Sequence, residues 1–128
     1  MKAEDLKNRT KTFALRILKL VAALPKTPAG RAVAGQLVRA GTAVAANYRA
    51  ACRGRSKAEF IAKLGTVEEE ADESAFWMEL IIEDGMLSQR ALGPLLAEAN
   101  ELTRIMARSR ISASRSLRQA KMAGGTRK

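Results

Sequence analysis

The sequence predicts an all-α fold, an antiparallel up-down four-helix bundle, on three observations. Apolar side chains recur in alternating steps of three and four along four separate stretches, the period of a helix with one packed face. Proline or glycine falls between each stretch and the next, at Pro25 and Pro28, at Gly54 and at Gly85. No stretch shows the strict alternation of a half-buried strand.

The first helix carries its seam at Leu6, Thr10, Phe13, Ile17, Leu20 and Leu24 and stops at Pro25. Thr27-Pro28 then reads as an N-cap followed by proline at the first helical position, where its missing N–H costs nothing. The second helix repeats at Val33, Leu37, Ala40, Val44, Asn47 and Ala51, and its small residues (Ala40, Gly41, Ala43, Ala45, Ala46) allow a neighbour to approach closely. Gly54 ends it. The third opens on Ser56-Lys57-Ala58-Glu59, the pattern of a capping box. It runs through Phe60, Leu64, Val67, Ala71, Ser74, Met78 and Ile81 to Gly85, with Trp77 and Leu80 widening its apolar face. The fourth begins near Ser88 and repeats at Leu92, Leu95, Ala99, Leu102 and Met106; Gly93-Pro94 inside its first turns predicts a kink or a late start. From Ile111 the pattern decays into Ser, Arg and Gly. The expected organisation is a bundle over 1–110 and a basic tail over 111–128, a frayed helix running into disorder.

A chain of 128 residues suits one domain with one core. Apolar residues make up 47% of it but aromatics only 4%, so the core is built from Leu, Ile, Val, Ala and Met, a helical palette. The lone Cys52 excludes an internal disulfide and fits a reducing compartment. No apolar run approaches the roughly 20 residues of a membrane span, and Met1-Lys2-Ala3-Glu4-Asp5 lacks the apolar stretch of a signal peptide. A soluble, cytoplasmic protein without a membrane partner is expected.

The net charge of +10 is unevenly spread. Residues 1–24 carry six basic and two acidic side chains, 25–55 six basic and none acidic, 56–87 two basic and nine acidic, and 88–128 nine basic and two acidic. An acidic third helix set among basic neighbours implies charge matching inside the bundle and a positive excess outside.

The second and third helices together read Gln36-Leu37-Val38-Arg39, Ala46-Asn47, Ser56-Lys57-Ala58-Glu59-Phe60 and Glu73-Ser74-Ala75-Phe76-Trp77. In this order the elements resemble the four helix bundle protein family, also known as the 23S ribosomal RNA intervening-sequence proteins, over about residues 6–107. The resemblance implies a small antiparallel bundle that assembles as a ring, commonly a homopentamer. Some members of that family are encoded inside insertions of ribosomal RNA genes. A relative is the accessory protein of diversity-generating retroelements, a basic pentamer that works with a reverse transcriptase and nucleic acid. The family brings no catalytic residues, and the basic carboxy-terminal tail lies outside its shared pattern.

The chain has no histidine, which excludes Ser–His and Cys–His catalytic pairs and the Glu-x-x-His ligands of di-iron bundles. Cys52 lies beside Arg49, Arg53 and Arg55, which favour a thiolate, but no base or resolving thiol accompanies it, and it reads as incidental. The carboxylates Glu68, Glu69, Glu70, Asp72 and Glu73, with Glu98 and Glu101 on the fourth helix, offer one enzyme-like reading, a Mg2+ site for nucleotide hydrolysis. The E-x-x-E spacing departs from the usual E-x-x-D, and pairing of these carboxylates with arginines is the favoured alternative. No cofactor is expected. Arg39 near the second seam, Asn47 within it and Glu69, Glu70 and Glu73 opposite are read as structural polar residues fixing register or assembly. Phe76 and Trp77, adjacent in sequence, do not both fit one seam, so one is expected to meet another subunit.

Two sets of basic residues stand out. Arg49, Arg53, Arg55 and Lys57 cluster at the link between the second and third helices. Arg104, Arg108, Arg110, Arg115, Arg118, Lys121, Arg127 and Lys128 follow Glu101 with no acid after it. Unopposed cations of this kind attract phosphates and release counterions on binding. The leading expectation is a non-enzymatic homo-oligomer, a pentamer by resemblance, holding RNA or DNA by its backbone as an accessory or chaperone-like factor, with a nucleic-acid-processing protein as a further partner. The alternatives are a scaffold docking an acidic protein and the Mg2+-dependent hydrolase.

Overall fold

A computed structural model describes residues 1–125 and contains four helices: α1 (Ala3–Val21), α2 (Pro28–Cys52), α3 (Lys57–Glu83) and α4 (Gln89–Gly125). Short links make neighbours antiparallel. Each helix packs on the next, α1 on α2, α2 on α3 and α3 on α4, while α1 and α4 approach least closely. α1 and α3 therefore occupy opposite corners of the bundle and run in the same direction.

The ends are set by local chemistry. The backbone N–H of Lys2 donates to Asp5 at 3.2 Å, so an acid supports the first turn of α1. Thr27 caps α2 by accepting from the Gly30 N–H at 3.1 Å, with Pro28 next in the chain as the sequence predicts. Ser56 likewise caps α3 by accepting from the Glu59 N–H at 3.1 Å. The returning half of the expected box is displaced by one residue: the Glu59 carboxylate accepts from the N–H of Arg55, at 3.2 Å, instead of that of Ser56. α3 closes with a pair of bonds, Gly85 N–H to Ile82 C=O and Met86 N–H to Ile81 C=O, both 3.0 Å, around Gly85 at φ +80°. α4 starts where the sequence puts it, capped by Ser88, which accepts from the Ala91 N–H at 3.1 Å; Pro94 is accommodated inside the helix.

The seams meet as one core. Phe13, Ile17, Leu37, Val44, Leu64, Val67, Met78, Ile81, Leu92, Leu102 and Met106 are fully buried. The two polar seam residues, Thr10 and Ser74, are buried as well, and each donates its hydroxyl to a carbonyl of its own helix, Leu6 and Glu70 respectively, at 2.8 Å. Gly41 is what lets α1 lie close on α2, because a Cβ there would stand 2.8 Å from Ile17 Cγ1. The seam of α2 is wider than its periodicity indicates: Tyr48 is buried, and burial, with Cys52 beside it, raises its phenol above the ordinary value.

α4 is longer than its expected core. It stays helical through residues 111–125, and Ala113 is buried. Ala113 and the half-buried Leu117 supply enough apolar contact to carry the helix along the first turns of α3. Residues 126–128, including Arg127 and Lys128, lie outside the described residues.

Candidate nucleic-acid interface

The up-down topology brings three basic stretches of the sequence to one end of the molecule. α1 begins there, α2 ends and α3 begins there, and α4 runs past it. Arg49, Arg53, Arg55 and Lys57 thereby join Arg108, Arg115, Arg118 and Lys121. The closeness of the two sets is direct: Lys57 Nζ donates to Ser116 Oγ at 3.0 Å, and Ala58 and Ile61 share a small groove with Leu117, Arg118 and Lys121.

These cations are not equally available. Arg110 lies across α3, donating to Glu68 at 2.7 Å and 3.5 Å, and that carboxylate raises its proton affinity. Arg104 pairs with Glu101 at 3.0 Å on its own helix. Arg49, Arg53, Arg55, Arg108, Arg115, Arg118 and Lys121 make no ion pair among the described residues. The sequence reading omits two members of this end, Lys7 and Lys11 of α1, which line a groove with Arg49 and Arg53. Their spacing of one helical turn was the available signal, but only the packing of α1 on α2 shows which arginines they meet.

The carboxylates are mostly spent on ion pairs between helices. Glu98 takes a two-pronged grip from Arg9 of α1, at 2.7 Å and 2.8 Å. Glu68 holds Arg110, and Glu70 accepts from Arg39 at 2.9 Å. Glu73 accepts from Arg39 Nη2 and, at 3.0 Å, from the Trp77 indole N–H. The Trp77 bond first, and Arg39 second, hold the Glu73 carboxyl below its ordinary value. Glu69 is exposed and stands apart from this cluster. Among the described residues no group of three or more Asp, Glu, Cys or His side chains is arranged to hold a metal ion.

Arg39, Glu70, Glu73 and Trp77 thus form one network on the outer face of α2 and α3. Asn47 does not join it. Its side-chain amide donates to the Ala43 carbonyl of its own helix at 2.9 Å. The two neighbouring aromatics divide as their adjacency requires: Trp77 packs on the core, and Phe76, 48% exposed, stands edge-on to it with ring centroids 5.1 Å apart. Among the described residues no helix is long and apolar enough to cross a membrane.

The arrangement is a small up-down helical bundle with an aromatic patch on its flank and cations gathered at one end. Residues 3–108 match the model of the family described as 23S rRNA-intervening sequence protein. The chain belongs to that family. It is similar to a solved structure, a protein with unknown function from the S23 ribosomal protein family of Bacteroides thetaiotaomicron VPI-5482, at 28% identity and a TM-score of 0.79. That similarity covers 86% of this chain and 98% of the other. No match is found among curated proteins.

Proposed function

We propose that the chain is the subunit of a non-enzymatic cytoplasmic ring that holds the phosphate backbone of RNA or DNA at its basic end, as an accessory or chaperone-like factor. The observation that carries this reading is the convergence of the α2–α3 link with the acid-free end of α4. Cations distant in sequence form one field there, and identical subunits around a ring multiply it.

Assembly is supported by two exposed apolar patches. Leu15 and Leu18 on α1 are 53% and 46% exposed, and Phe76 and Leu80 on α3 are 48% and 37% exposed. They sit on opposite corners of the bundle, each toward the carboxy-terminal end of its helix. A patch on one side that meets a different patch on the next copy makes a heterologous contact, which gives a ring where the rotation between copies closes. Such a ring points every basic end the same way.

The test is molar mass in solution together with binding of RNA and DNA across a salt series. A ring whose affinity falls steeply with salt supports the reading; a monomer, or no binding at low salt, sinks it. A pull-down repeated with nuclease separates nucleic acid from an acidic protein docked on the same surface.

A further inference from the structure

We propose that the groove between α1 and α2 seats a single nucleic-acid strand, an inference that rests on the phosphate-binding reading above and gives it a location. The groove has a volume of about 460 Å3. Lys7 and Lys11 of α1 form one wall and Arg49 and Arg53 of α2 the other. On each wall the two cations are one helical turn, about 6 Å, apart, so positive charge repeats along both sides of a channel.

Three features favour a strand. The first is that the charge is uncommitted. Arg9, Arg39, Arg104 and Arg110 each hold a carboxylate. Lys11, Arg49 and Arg53 form no ion pair among the described residues, and Lys7 reaches only Glu4, 3.7 Å away on its own exposed turn. The second is depth. Ala45 and Ala46 line the groove between the cations, and their short side chains let a phosphate come close to the α2 backbone. Cations around a concave surface focus their field into it more strongly than the same cations on a convex one. The third is width. Packed helices lie about 8–10 Å apart, so the trough between them admits one strand, whereas a duplex rides over its rims. No aromatic side chain lines the groove, so phosphates rather than bases supply the contact, and the strand is held with little regard to its sequence.

The full chain is assayed by fluorescence anisotropy with a labelled oligouridine and oligothymidine of about 20 nucleotides and a duplex of the same length. Lys11→Glu with Arg49→Glu weakens both single strands by at least about tenfold and lowers the log–log salt slope by at least about 1.4. Lys11→Gln with Arg49→Gln, which leaves the fold less burdened, shifts both in the same direction. Glu4→Gln, which removes the one acid in the groove, tightens binding. Arg115→Glu with Arg118→Glu, outside the groove, weakens single-strand binding less than the groove pair does. Groove variants that bind like the parent, while the Arg115/Arg118 variant loses binding, overturn the groove and leave the phosphate-binding role standing. Preference for the duplex also overturns it. Failure of the parent chain to bind any of the three at low salt removes the groove and the role together.

Discussion

Arg9 grips Glu98 through two parallel hydrogen bonds of 2.7 Å and 2.8 Å, and this pair ties α1 to α4 along the side of the bundle where the helices approach least closely. Glu98 is the main reason the Arg9 guanidinium holds its proton more tightly than usual. Both side chains are partly shielded, 28% and 19% exposed, so the pair escapes much of the screening that makes surface ion pairs weak. Replacing Arg9 by Ala is expected to cost about 1–2 kcal/mol in denaturant unfolding. A double-mutant cycle with Glu98→Ala should show coupling; additive losses would mean that the pair does not act as a unit.

Gly41 makes the opposite kind of contact, one of close fit. With Ile17 Cγ1 only 2.8 Å from where its Cβ would be, Gly41→Val pushes α1 away from α2. An expected loss of about 1–3 kcal/mol follows from overpacking. Combining it with Ile17→Ala opens room and should recover part of the loss, which a melting series measures directly.

Glu73 provides a pH handle. Folding lowers its pKa through the Trp77 N–H and Arg39, so the unfolded chain takes up the proton more readily. The stability it contributes is present above the carboxylate's unfolded value and is lost as pH falls through the depressed folded value. Glu73→Gln should therefore lower stability at neutral and higher pH and flatten the acid limb, the two profiles converging at low pH. An unchanged acid limb would show that the network adds nothing to stability.

The flank patches make a separable prediction. Phe76→Glu or Leu18→Glu should lower the molar mass measured by light scattering while helicity by circular dichroism is retained, because both residues are exposed in the single chain. Equal mass for parent and variants would place assembly elsewhere.

Removal of residues 111–128 takes away Arg115, Arg118 and Lys121 but also the buried Ala113 and the Lys57–Ser116 bond. The truncated chain should remain a bundle, melt a few degrees lower and bind nucleic acid with a shallower salt slope. An unaltered slope would mean that the end of α4 takes no part in binding.

Each helix was legible in the sequence because every seam has a period and every link has a breaker with a physical role, such as Thr27-Pro28 or Gly85. Tyr48 escaped because small residues surround it on α2, leaving a seam that periodicity alone does not widen. The helical end of α4 escaped for a related reason: Ala113 and Leu117 are too sparse to stand out from Ser and Arg, yet they suffice against the first turns of α3. The candidate site was legible only as two lists of cations. Which cations are already matched, as Arg110 is by Glu68, and which share a groove, as Lys11 and Arg49 do, are properties of packing. No spacing within one helix encodes them.

α4, at 37 residues, is ten residues longer than α3, or about 15 Å. Its far end therefore behaves as a spindle whose angular setting is fixed by residue count alone. Inserting a single alanine after Ala113 keeps the core side chains up to that point and turns Arg115, Arg118 and Lys121, with Leu117 and Ser116, about 100° around the helix axis and off their contacts with α3. Four insertions return them nearly to their original bearing, one turn further out. The direction in which that end presents its charge is thus tied to the contacts of Ser116 and Leu117 with α3.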